Sequence, residues 1–80
     1  MNQGLKILLE GEGFRQVRPQ SCEFARRHEQ SDKTVYVFRV WLHRNGGQAE
    51  VCRDDTGRKV ARTESWLGMD DLKEFFKEFQ

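Results

Sequence analysis

The stretch Thr34 to Arg44 constrains the fold more than any other part of this chain. Its eleven residues are mostly β-branched or aromatic, and they include neither glycine nor proline. The run is predicted to be the central strand of an antiparallel sheet. Successive side chains of a strand point to opposite faces, so Tyr36, Phe38, Val40 and Leu42 read as a core face, and Val35, Val37, Arg39, Trp41 and His43 as a mixed one.

The flanking segments read as the rest of that sheet. Asn45-Gly46-Gly47 is a strong hairpin signal, and a two-residue turn at Asn45 and Gly46 sets Val40 opposite Val51 and Leu42 opposite Ala49. The next strand, Gln48 to Asp54, ends at Asp54-Asp55-Thr56-Gly57, and a last strand then begins at Arg58. This register pairs Glu50 with Arg62 and Cys52 with Val60, so Trp41, Glu50 and Arg62 share one row of the mixed face. Upstream, Phe14 to Pro19 and Cys22 to Arg27 suggest two shorter strands, and Glu29 to Lys33 a polar turn.

Both ends read as helices. Asn2 is a plausible N-cap for a helix over Gln3 to Glu10, with Leu5, Leu8 and Leu9 on one stripe and Gly11 or Gly13 as its stop. After a loop from Ser65 to Gly68, Met69, Leu72, Phe75, Phe76 and Phe79 recur at intervals of three and four, and Asp70 and Asp71 suit the first turn of an amphipathic helix. A sheet with one apolar face needs a cover, so this stripe is expected to pack on the core. The predicted fold is therefore α+β: two layers, an antiparallel sheet of four to five strands, and an N-terminal and a C-terminal helix on one face.

Eighty residues make one domain over 1–80, and a chain of this size buries only about 60% of its unfolded surface. Two cysteines, Cys22 and Cys52, are too few for a disulfide scaffold, and no apolar run approaches the roughly 18 residues of a membrane span. A reducing, cytoplasmic setting without membrane contact is expected. His28 and His43 stand in no metal-ligand spacing with the cysteines, and Asp54-Asp55 and Asp70-Asp71 have ordinary turn and helix-start roles. No catalytic residue, metal site or cofactor is expected.

Charge is sorted along the chain. Residues 13 to 62 hold eleven Lys/Arg against six Asp/Glu, nine of the eleven being arginine, whereas the remaining residues hold three against seven. Arginine makes bidentate contacts with phosphate or carboxylate and stacks on aromatic rings. Trp41 with Arg39, Arg53, Arg62, Arg26 and His43 is thus the expected binding surface, left open on the mixed face.

Leu5, Leu8, Leu9, Glu10, Gly13, Phe14, Val17 and Arg18, followed by Ser21 to Phe24, resemble the opening of HicA-type toxins, small dsRBD-like proteins of toxin and antitoxin pairs. The likeness covers about the first quarter of the chain. It implies an open α+β layout and an RNA-targeting activity that relies on a histidine at the start of the second strand. The matching stretch here reads Ser21-Cys22-Glu23, without that histidine.

Three functions are consistent with these features. The leading expectation is a small non-enzymatic interaction protein, monomeric or weakly dimeric, that occludes or adapts a surface of a larger protein or nucleoprotein partner. Phages and mobile elements encode such proteins, anti-CRISPR-type inhibitors among them. The alternatives are a module binding nucleic acid directly through an Arg-rich sheet face, and a HicA-like RNA-targeting toxin lacking the usual histidine. A lone sheet edge such as Phe14 to Arg18 offers a route to dimerisation, which Pro19 opposes.

Overall fold

The computed structural model describes residues 3–44, 46–53 and 60–80. Its elements run α1 (Gln3–Gly11), β1 (Arg15–Gln16), β2 (Glu23–Glu29), β3 (Val35–His43), β4 (Gly46–Cys52), β5 (Val60–Trp66) and α2 (Met69–Lys77). The strands form one antiparallel meander in chain order, with β3 at its centre. This is the expected α+β architecture. Expected features at Asn2, at Asn45 and over Asp54 to Lys59 lie outside the described residues.

One core joins both helices to one face of the sheet. Phe24, Phe38, Val40, Leu42, Ala49 and Val51 cluster with Leu9 of α1 and with Leu72, Phe75 and Phe76 of α2. The Phe38 and Phe76 rings stack at 4.4 Å, so the C-terminal aromatic stripe is core, as its spacing predicts. Helix α2 carries Asp70 and Asp71 in its first turn and Lys77 in its last, both favourable to the helix dipole, and the Asp71 carboxylate accepts a hydrogen bond from the Leu67 N–H at 2.9 Å. At its far end the Gln30 side-chain amide donates to the Phe79 carbonyl at 2.7 Å, tying the helix to the β2–β3 turn.

Three expectations need correction. Strand β1 is two residues long, not the whole of Phe14 to Pro19: Phe14 is buried in the core, and the chain turns at Arg18 to Ser21, where the Ser21 N–H donates to the Arg18 carbonyl and Gln20 has φ of 62°. Strand β4 pairs two residues out of the expected register, with Val40 opposite Ala49, Leu42 opposite Gly47 and His43 opposite Gly46. Gly46 and Gly47 are therefore strand residues, not turn residues. A Cβ at Gly46 would collide with the Trp66 carbonyl oxygen, and one at Gly47 with the Trp41 carbonyl oxygen, so these glycines serve close backbone approach within the sheet. An even shift leaves the core face unchanged.

The third correction alters the site. Cys52 does lie opposite Val60, but Glu50 pairs with Thr63 and Val51 with Arg62, because β5 takes up an extra residue at Ala61. That irregularity moves Arg62 to the helix-covered face. Strand β5 also continues through Trp66, where a loop was expected; the indole is 2% exposed and its N–H donates to the Gln48 carbonyl at 2.9 Å.

Candidate functional site

The face without helices is organised in rows by strand pairing. Trp41 lies between Glu23 of β2 and Gln48 of β4, and Ser65 of β5 extends the row through a 2.9 Å hydrogen bond from the Gln48 side chain. In the next row Arg39 lies between Ala25 and Glu50, with Arg15 of β1 beyond Ala25. Arg27, Val37 and Cys52 form the third. Trp41 and Arg39 are both half-buried. Each is framed by strands on two sides, which restricts the side chain and lowers the entropy lost on contact.

Only part of the expected binding surface assembles here. Trp41 and Arg39 are neighbours on the same face of β3, and His43 is exposed at the end of that strand, opposite Gly46. Arg53 is exposed just beyond β4, outside these rows.

Arg26 and Arg62 are on the helix side, contrary to expectation. Arg26 pairs with Phe38, its guanidinium lies 5.0 Å from the Phe14 ring centre and 5.1 Å from that of Phe38, and its Nη1 donates to the Glu12 carbonyl at 2.7 Å. Burial pulls its pKa below the ordinary arginine value, while the nearby Glu12 carboxylate acts in the other direction. Arg62 makes ion pairs with Glu64, at 3.2 Å, and with Glu78, and lies 5.5 Å from the Phe75 ring centre. Both arginines are aromatic-stacked parts of the helix–sheet layer.

These placements change the electrostatics of the face. Arg15, Arg27 and Arg39 share it with Glu23, Glu29 and Glu50, so opposite charges balance and alternate across the strands. The basic surplus of the middle segment is divided between the two faces and the turns. Glu23 and Gln48, the direct neighbours of Trp41, were absent from the expected site. Glu23 meets Trp41 because the β2–β3 turn is centred on Asp32; the polar stretch Glu29 to Lys33, centred one residue earlier, would have set Ser21 there.

The chemistry-bearing residues take structural places. His28 stacks on Phe38 at 5.5 Å, and Cys22 and Cys52 form no disulfide. Cys52 is fully buried, with its sulfur 3.4 Å from Glu50 Oε2. Among the described residues no group of three or more His, Cys, Asp or Glu side chains is placed to hold a metal ion, and no helix is long and apolar enough to cross a membrane.

Compared with protein families, with curated proteins and with solved structures, the chain matches none.

Proposed function

We propose that this chain is a non-enzymatic binding domain that sets the helix-free face of its sheet against a larger protein, with Trp41 as the anchor and Arg39, Glu23 and Glu50 as polar contacts around it. The observation that carries this reading is the position of Trp41, a half-buried indole at the middle of the sheet, on the face opposite both helices. A large aromatic held by its strand neighbours and ringed by polar groups has the anatomy of an interface hot spot. Two cysteines, Cys22 and Cys52, that form no disulfide fit a reducing, cytoplasmic setting.

The alternation of charge favours a protein over a nucleic acid. Trp41 is directly opposite Glu23, and Glu50 lies one row away opposite Arg39, so a phosphate chain crossing the indole would meet the Glu23 carboxylate on one side and pass close to Glu50 on the other. A protein surface with its own mixed charges matches that pattern without repulsion.

The test uses the purified chain as bait beside the W41A and R39E variants, each first shown to keep the wild-type circular dichroism. A specific protein partner should be held by the wild type and lose about 2 kcal/mol of affinity, roughly 30-fold in Kd, in W41A. Equal retention by W41A would remove Trp41 as anchor. Binding to single- or double-stranded probes, with a salt slope that R39E flattens, would instead support the nucleic-acid reading.

A further inference from the structure

The two edges of the sheet are built differently. Strand β1 is two residues long and runs into a turn containing Pro19, which has no N–H to offer. Strand β5, at the other edge, has seven residues, no proline, and exposed side chains at every position from Val60 to Ser65. It pairs with β4 on one side only, and its outer backbone groups face outward. A long, exposed edge of this kind is a template for another strand.

We propose that the outer edge of β5 pairs antiparallel with β5 of a second copy of this chain, about a two-fold axis at Thr63, giving a weak dimer with a continuous ten-stranded sheet. The choice of occupant comes from the charge pattern of the edge. In a symmetric antiparallel pair a residue must meet its own copy, and backbone hydrogen bonding allows only registers two residues apart at their pairing sums. Centring the axis on Arg62 sets guanidinium against guanidinium, and centring it on Glu64 sets carboxylate against carboxylate. Centring it on Thr63 sets Arg62 opposite Glu64 of the second copy, twice, with threonine opposite threonine between them. Opposite charges and threonine pairs stabilise directly opposed positions, and like charges oppose them, so among the registers centred on Arg62, Thr63 and Glu64 the one at Thr63 is favoured.

Two further features agree. Val60 at the start of β5 is 51% exposed and Leu67 just past its end is 79% exposed. Antiparallel pairing about Thr63 brings the start of one edge beside the end of the other, so that the exposed Val60 is covered near the Trp66 end of the second strand while Leu67 lies beyond the regular contact. The irregularity at Ala61 limits the regular part of the edge to Arg62 through Trp66, which keeps the association weak. The dimer sheet would carry its two Trp41 anchors on one continuous surface, five strand spacings or roughly 24 Å apart.

Sedimentation of the full chain over a wide concentration range tests the proposal. The wild type should pass from monomer to dimer with rising concentration. R62E places carboxylates at both charged positions of the edge and E64R places guanidiniums at both, so each alone should associate at least roughly tenfold more weakly. Mixed one to one, the two variants should restore the wild-type association, because each supplies the charges that the other lacks. Arg62 also contacts Glu78, so a second variant, T63K, guards against loss of fold: its side chain lies on the opposite face, beside Glu50, and it sets two ammonium groups together only in the dimer. A wild type that stays monomeric at every concentration overturns the proposal. So does a dimer that R62E, E64R and T63K leave unchanged, or one that the mixture of the two charge variants fails to restore.

Discussion

The two faces of β3 are made from neighbouring residues of one strand, yet they use large side chains in opposite ways. Phe38 is fully buried and stacked on Phe76 and His28; Trp41, three residues on, is half-buried and bordered by Glu23 and Gln48. The same division holds for arginine. Arg26 lies against Phe14 and Phe38 under the helices, while Arg39 stands among Ala25 and Glu50 in the open. Residue type therefore does not decide which role a side chain takes. The parity of its position does, and parity depends on turns and irregularities elsewhere in the sheet.

The largest expected difference between the faces is in stability. F38A empties the point where sheet and α2 meet, and removal of a buried phenylalanine costs about 3 to 5 kcal/mol. In a domain of this size that is much of the total, so the urea midpoint of F38A should fall steeply or the variant should be unfolded in buffer. W41A, measured in the same way, should lose about 1 kcal/mol or less while losing partner affinity. A W41A variant as unstable as F38A would show that the indole is core, and would remove the basis for a binding face.

The arginines provide a finer contrast. R26A removes two ring contacts and the charged hydrogen bond to Glu12, each worth about 0.5 to 1 kcal/mol or more, and should cost about 1 to 2 kcal/mol in denaturant unfolding. R39A should stay within about 0.5 kcal/mol of wild type. Equal losses in the two variants would mean that the faces are not energetically distinct.

Much of this division was legible in the chain, and the failures have definite causes. The β-rich run over β3 and the apolar spacing of α2 are periodic signals carried by many residues, and they placed Phe38, Val40, Leu72 and Phe76 correctly in the core. The hairpin register failed because Gly46 was taken as a turn residue, although its role is to let β4 approach the Trp66 carbonyl. Being an even shift, that error left the core face intact, but it moved Glu50 from the Trp41 row to the Arg39 row and put Gln48 beside Trp41. Ala61 was the costly one: a single extra residue in β5 carried Arg62 across the sheet, and no local residue pattern announces such an insertion. Sorting charge along the chain also overstated the open face, since adjacent strand residues such as Arg26 and Arg27 go to opposite sides.

The smallest expected effect concerns the turn that sets this parity between β2 and β3. Lys33 takes a φ of 74°, the Gln30 N–H donates to the Thr34 carbonyl at 2.8 Å, and the exposed Asp32 carboxylate accepts the Thr34 N–H at 3.0 Å. That last bond, made to the charged form, holds the Asp32 pKa below its ordinary value. A carboxyl with a depressed pKa stabilises the fold fully above its unfolded pKa, near 4, and that contribution is lost as pH falls through the lower, folded value. In an NMR titration, then, Asp32 should protonate below the ordinary aspartate range, and the Thr34 amide shift should follow Asp32. D32N keeps an acceptor without the charge, so it should abolish the pH dependence of the Thr34 amide while leaving Glu23 opposite Trp41. If Asp32 titrates at or above the ordinary carboxylate value, the turn draws nothing from this bond, and the pairing of β2 with β3 must be set by the alternation of Phe24, Arg26, Phe38 and Val40 alone.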